Sequence, residues 1–355
     1  MIGSAVKSMA GYCRHICLYR GGGGQGLVVM LLLLLVPAVL CAATGQETPE
    51  TDKGIFSLTF ENDKFAHFDD NYTNGVRISW LSGINDVPHL LRTAAARSPL
   101  FPDHGDSRIE YAAGQSMYTP GNIKLVNPPL TDRPYAGWLY GSVGVISENG
   151  IRLHQLELKL GVVGPSSKAE EAQKFVHEYI SDSPEPMGWH TQLPDEPGIQ
   201  LTYQRSWRAV ATTEIYDFGI DFTPTSAIAL GTVFDYVEAG AMVRMGKDLC
   251  LDYGPPRVQP SPPGSSFFTK SPGLSGYVFG GVTGRLVAHD LFLDGSFTED
   301  SRSVEKEYFV VDLIAGAALT WKNIRFTYTH TYRTPEFEAQ HGLEQYGSMT
   351  LSIKF

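Results

Sequence analysis

Cysteine is nearly missing from this chain once its first 43 residues are set aside. Cys13, Cys17 and Cys41 sit in or beside an N-terminal leader, which leaves Cys250 alone. A disulfide framework and a cysteine metal centre are thereby excluded. Positive charge is also short: 28 Lys and Arg against 38 Asp and Glu give a formal net charge of -10. No basic stripe runs along the chain, so nucleic acid is excluded as a partner. Mean hydropathy is only -0.12. Composition therefore announces no membrane protein, but a transmembrane barrel reads the same way, because only alternate residues face lipid. The 355 residues suffice for two soluble domains or one large barrel.

The leader itself is rich in what the rest lacks. Lys7, Arg14 and Arg20 precede the apolar run Leu27 to Leu40, and the small residues Ala42 and Ala43 follow. This is the layout of a secretory signal cleaved near Ala43, with residues 44–355 as one domain. A membrane anchor is the alternative, but the run is short and Pro37 interrupts it. Cys41 invites a lipoprotein reading, which Leu40 just before it disfavours.

The rest of the chain is organised around Thr59 to Phe65 and Asp69 to Gly75. Phe56, Leu58 and Phe60 alternate with Ser57, Thr59 and Glu61. Past a polar loop, Val76, Ile78 and Trp80 alternate with Gly75, Arg77 and Ser79. Period two means strands with one apolar and one polar face. Continued through the loop, the parity puts Asp63 and Thr73 on the polar face. Asn62 falls on the other face unless the strand ends or bulges there. The plain reading is a hairpin with a polar tip; the sharper one is a cation or substrate site at the strand ends.

Similar runs recur to the C-terminus: Arg108 to Tyr118, Tyr135 to Ser147, Ile151 to Val163, Ile199 to Trp207, Glu214 to Leu230, Thr232 to Met245, Leu274 to Leu293, Tyr308 to Trp321, Ile324 to Tyr332, and a last run ending at Phe355. The count is about twelve, an even number as bacterial outer-membrane barrels require. A soluble antiparallel sandwich also alternates; the leader, the terminal Phe and the strand lengths favour the membrane. One segment breaks the pattern. Ser167-Lys168-Ala169-Glu170 reads as a capping box. Ala169, Ala172, Val176 and Ile180 then recur at helical spacing, predicting one loop helix over about 167–180. Gln173 and His177 share a face bordering that apolar stripe. Following the chain up and down places this helix, the Glu61–Asn71 loop and the Thr119–Arg133 loop on the extracellular side.

Chemistry-bearing side chains concentrate there. His177 is the candidate general base, since a neutral imidazole can take a proton from water; a lone helical His is more often structural. Asn62, Asp63 and Thr73 supply hard oxygens that suit calcium better than zinc, although the chain has no EF-hand loop. Lys124 is placed to meet a phosphate or an oxyanion, or else is a solvated loop lysine. Ser166 and Ser167 are nucleophile candidates beside His177, Ser167 being better explained as the helix cap.

Several segments together resemble the outer-membrane lipid A 3'-O-deacylase family. They are Glu61-Asn62-Asp63; Asn71 to Gly75; Gly114 to Pro120; Asp132-Arg133-Pro134-Tyr135-Ala136-Gly137-Trp138; Gly161 to Pro165; and Gln173 with His177. The resemblance spans residues 55 to about 207. It implies a twelve-stranded outer-membrane barrel, monomeric, that acts on lipid A in the outer leaflet. It also implies a site between barrel wall and loop helix, where His activates water and calcium helps form the oxyanion hole. By motif, Asn62, Asp63, Thr73, Gln173, His177 and Lys124 take the family's functional positions. An outer-membrane phospholipase and a non-catalytic pore or structural barrel are the alternatives.

Overall fold

A computed structural model describes residues 52–63, 72–84, 86–89, 91, 93, 97, 105–179, 184–216, 218–254 and 266–355. The leader expected over residues 1–43 lies outside them. No helix among the described residues is long and apolar enough to cross a membrane; the chain is built of strands instead.

These are β1 (Ile55–Asn62), β2 (Tyr72–Leu81), β3 (Asp106–Tyr118), β4 (Ala136–Glu148), β5 (Arg152–Val163), β6 (Glu196–Trp207), β7 (Ala211–Ile215), β8 (Phe218–Gly231), β9 (Phe234–Gly246), β10 (Leu274–Asp290), β11 (Phe309–Trp321), β12 (Ile324–Arg333) and β13 (Glu344–Lys354). They form one sheet in the order β6-β5-β4-β3-β2-β1-β13-β12-β11-β10-β9-β8-β7, and β6 also pairs with β8. Every pairing is antiparallel, and the β6–β8 pairing closes the sheet into a barrel. Closure leaves the long strands without exposed edges.

Twelve of the strands make the barrel, as expected, and β7 is the extra one. Gln200–Ser206 of β6 pair with Thr225–Gly231 of β8, and Ala211–Ile215 pair with the next stretch, Phe218–Phe222. The short β7 thus prolongs β6 along the same neighbour after a break at Arg208–Val210, where Ala209 has φ 53. This corrects the single strand expected from Glu214 to Leu230. The chain turns between Ile215 and Phe218, with Tyr216 at φ 57, and no Gly, Pro or Asn marks the turn in the sequence. The run expected from Leu274 to Leu293 is also shorter. It ends at Asp290, whose side chain accepts from the Phe292 N–H and caps a one-turn helix, α2 (Leu291–Asp294).

Strand alternation sorts side chains between lipid and lumen. Tyr111, Leu139, Leu160, Ile199 and Leu201 are exposed on the outer surface. Of their inward neighbours, Glu110, Lys159, Gln200 and Thr202 are polar and buried, while Trp138 and Tyr140 beside Leu139 are buried aromatics. Arg77 pairs with Glu110 at 3.0 Å and Glu157 at 3.2 Å across the lumen. At the upper end Phe292 of α2 stacks on Tyr118 at 4.1 Å within a cluster that includes Trp138, Phe234 and Tyr346. At the lower end the β9–β10 connection folds into the barrel. Its Asp252 bridges Arg244 at 2.6 Å and Arg325 at 2.8 Å, and its Tyr253, Phe267 and Phe268 pack with Ile55, Leu81, Ile146 and Leu153.

Candidate active site

The upper end carries the loop after β1, the Thr119–Tyr135 loop and helix α1 (Ala169–Tyr179). A single rung of the barrel underlies all three. Asn62 sits opposite Asn74, Asn74 opposite Met117, and Met117 opposite Gly137. The Gly164 N–H then donates to the Gly137 carbonyl at 3.0 Å. By strand parity these residues belong to the outer surface: Leu139, two residues beyond Gly137, is exposed, whereas Trp138 and Tyr140 are buried towards the lumen. The helix rests on this outer rim. A Cβ on Gly137 would meet the Ser167 Oγ and the Ala169 Cβ, and Met117 packs with Ala169, Tyr135 and Trp189.

The buried face of α1 is not centred on its apolar stripe. Ala169, Gln173 and His177 are buried, while Ala172 and Val176 are only half-buried. The helix meets the wall through Ala169, at Met117 and Gly137, and the segment after it covers Gln173 and His177 through Trp189 and Pro184. Gln115 Nε2 donates to the Ser167 carbonyl at 2.6 Å. The helix starts later than expected, and Ser167 is not its cap. Lys168 has φ 60 and carries the carbonyl that accepts the first helical bond, from Ala172 N–H. The Ser167 hydroxyl donates back to the Gly164 carbonyl at 2.6 Å. Ser166 Oγ donates to Asp195 at 2.6 Å, so both hydroxyls are engaged away from His177.

Gln173 and His177 are held by the segment after the helix. The Trp189 indole N–H donates to Gln173 Oε1 at 2.7 Å. This fixes the amide with its NH₂ as a donor, and Gln173 Nε2 is buried without a hydrogen-bond partner among the described residues. His177 Nδ1 lies 2.7 Å from the Pro184 carbonyl. A carbonyl only accepts, so Nδ1 carries the proton and Nε2 is the basic nitrogen of the neutral ring.

The Asp132–Trp138 segment ties the loop, helix and barrel together. Asp132 accepts from the Gly121 and Arg133 N–H groups. Arg133 pairs with Glu336 at 3.2 Å and lies 4.9 Å over the Tyr118 ring. Burial pushes the Glu336 carboxyl up, but the Arg333 and Arg133 guanidiniums more than offset this and hold it below its usual range. Tyr135 packs on Trp189 at 4.9 Å, donates to the Ile123 carbonyl, and has its hydroxyl pushed up to about 12 by burial.

Asp63 lies just past β1 and is fully buried, as its polar-face parity required; Asn62 is half-buried on the other parity. The irregularity that the sequence reading sought in β1 is in β2, where the register shifts between Tyr72 and Asn74 and leaves Thr73 as the extra residue. The Thr73 side chain and Asn71 lie outside what the structure describes. Asn74 is the residue the sequence reading missed. It is 5 % exposed, and its Oδ1 has no hydrogen-bond donor among the described residues. Its signal was there, inside the Asn71–Gly75 motif. Lys124 is exposed on the loop, its N–H bonded to Asn122; it lies at the same end of the barrel but is not buried with the others. Among the described residues no group of three His, Cys, Asp or Glu side chains converges, so any cation here would rely on amide, hydroxyl or main-chain oxygens beside Asp63.

The family model of outer membrane protein LpxR matches residues 27–355. Among solved structures, LpxR from Salmonella typhimurium aligns with a TM-score of 0.69 at 20 % identity, covering 85 % of this chain and 100 % of that one. The β domain of the Bordetella autotransporter BrkA aligns more weakly, at TM-score 0.43 and 10 % identity, covering 86 % of this chain and 100 % of the other. No curated protein matches the sequence at a significant level.

Proposed function

The chain belongs to the outer membrane protein LpxR family, and from that premise we propose that it is a lipid A deacylase that hydrolyses 3'-linked acyl or acyloxyacyl esters. One observation carries the reading. Helix α1, seated on the outer barrel wall, buries a glutamine and a histidine more deeply than its apolar stripe, under the segment that follows it. Burying a polar group without a hydrogen-bond partner costs stability, the Gln173 Nε2 is such a group among the described residues, and the outer wall faces the leaflet where such esters lie.

His177 acts as general base. Its Nδ1–H is held by the Pro184 carbonyl, and Nε2 takes a proton from water as that water attacks the ester carbonyl. The same proton then passes from the imidazolium to the departing alkoxide, which leaves a carboxylic acid and a free hydroxyl. The Gln173 NH₂, oriented by Trp189, donates to an oxygen of the bound ester. Ser166 and Ser167, engaged with Asp195 and Gly164, support water as the nucleophile. Lys124 meets a phosphate of the glycolipid from the loop.

The chemistry of the residues at the ends of β1 and β2 suits a calcium ion: Asp63 would supply the charge, Asn62 and Thr73 neutral oxygens, and Asn74 Oδ1, without a donor among the described residues, a further one. When bound, such an ion polarises the carbonyl and stabilises negative charge developing on its oxygen. The self-closed sheet supports a monomer.

Mass spectrometry of lipid A from cells with and without the protein tests the reading. Loss of the 3'-linked acyl mass is expected. Unchanged lipid A beside altered phospholipid would move the assignment to an outer-membrane phospholipase. The lumen, crossed by the Arg77 and Asp252 ion pairs, disfavours a pore.

A further inference from the structure

Helix α1 has three faces, and the chemistry of the site uses one. Ala169, Gln173 and His177 form the buried face, with Ala169 on the wall at Gly137 and Met117. Glu170, Lys174 and Glu178 form a charged flank, with Lys174 and Glu170 paired at 2.8 Å. The third carries Phe175 and Tyr179, 57 % and 62 % exposed, their rings 5.1 Å apart, beside the half-buried Ala172 and Val176. At about 100° per residue, the charged and aromatic flanks lie on opposite sides of the buried stripe.

The aromatic flank does not stand alone. The Met187 N–H donates to the Ile123 carbonyl at 2.9 Å, which brings Met187 beside Leu125 and Val126; all three are exposed. The His177–Pro184 bond ties that segment to the end of the helix. The helix also lies on the outer wall and not over the lumen, just above Leu139 and Leu160, which the barrel exposes to lipid. Exposed apolar side chains on a helix seated against the outer wall, at the level of the lipid-facing band, have lipid as their apolar neighbour. A helix with charge along one flank and aromatic rings along the other is built to lie in a membrane interface.

We propose that α1 is an interfacial helix whose Phe175–Tyr179 flank, with Met187, Leu125 and Val126, is immersed among the acyl chains of the outer leaflet. The charged flank then faces water. The immersion sets the depth of the slot between helix and wall at the level where acyl esters meet headgroups. The proposal stands on burial and position, and holds whether or not the protein is a hydrolase.

The test uses single cysteines at Phe175→Cys, Tyr179→Cys and, on the charged flank, Lys174→Cys, all in a Cys250→Ser background. The background protein without a new cysteine supplies the labelling baseline. Each carries an environment-sensitive fluorophore and is placed in nanodiscs of phospholipids brominated at known acyl positions. Heat-modifiable gel mobility establishes that each barrel is folded. Labels at 175 and 179 should lose at least half their emission to brominated chains and resist aqueous iodide. The label at 174 should show the reverse. Equal iodide access at all three positions, with no quenching by bromine, overturns the proposal. Quenching that appears only with two copies per disc also overturns it, in favour of a second copy on this face.

Discussion

Gly137 and Ala169 meet with no room between them: a Cβ on Gly137 would collide with the Ala169 Cβ and the Ser167 Oγ. The glycine is therefore what lets α1 seat on the rim, and that seat positions Gln173 and His177. Gly137→Val should lift or tilt the helix while β4 still pairs, since strand positions accept valine readily. A displacement near 1 Å can cost about 10²-fold in rate. Deacylation should fall on that scale in a barrel with normal heat-modifiable mobility. Wild-type turnover in Gly137→Val would show that the helix seat is not needed.

His177→Ala should lose about 10²- to 10⁴-fold in turnover, the usual effect of removing a general base. The barrel should fold unchanged, because the helix lies outside the closed sheet. Ser166→Ala and Ser167→Ala should keep substantial activity, and mass spectrometry should find no acyl group on either serine. An acyl-enzyme on a serine would transfer the nucleophile role from water.

The Trp189–Gln173 bond makes a separable claim. Trp189→Phe keeps the packing on Tyr135 but removes the only N–H on the ring, freeing the Gln173 amide to rotate. Activity should drop, and the same substitution made in Gln173→Ala should add little. Such non-additivity is the signature of residues acting through one bond. Full additivity in the double-mutant cycle would mean that Trp189 acts by packing alone.

The strands were legible because period-two alternation is imposed by lipid on one side and a polar lumen on the other. The Ile215–Phe218 turn was not, since the positive φ falls on Tyr216, a residue type that seldom marks a turn. The inward fold of the β9–β10 connection was hidden because Asp252 finds Arg325 across 73 positions of sequence. Asp63, Gln173 and His177 are all buried at the upper end, and the helix buries Gln173 and His177 more deeply than the apolar positions Ala172 and Val176. An apolar stripe marks the buried face only where no other segment covers the helix, and here Trp189 and Pro184 cover Gln173 and His177. Asn74 went unremarked because its isolation is a property of burial, which spacing does not encode.

Asp252 tests the closed lumen. Its carboxylate meets Arg244 and Arg325 and accepts from the Tyr277 hydroxyl at 2.9 Å. Asp252→Ala leaves two buried guanidiniums without this partner, which typically costs about 3–5 kcal/mol. Urea unfolding of the refolded barrel in detergent should show the loss. Planar-bilayer recordings of the wild type should show no steady conductance. A stable open current would restore the pore reading.

The last prediction concerns the cation. Asp63 is fully buried past the end of β1, Asn62 stands opposite Asn74 on the next strand, and Asn74 Oδ1 lacks a donor among the described residues. An acceptor shielded from water gains most from a positive partner, and a cage of carboxylate and amide oxygens from irregular backbone suits the larger of the common hard cations. Chelation should therefore stop turnover, and calcium should restore it better than magnesium. Asp63→Ala should be the most damaging change because it removes the only formal charge of the set. Asn62→Ala, Thr73→Ala and Asn74→Ala should raise the calcium needed for half-maximal activity, with rescue at excess calcium. Calorimetric titration of calcium into the detergent-solubilised protein should show the same order of weakening without any substrate present. Turnover indifferent to chelator, together with Asp63→Ala near wild type, would remove the metal from the mechanism and leave Gln173 and Lys124 to stabilise the oxyanion.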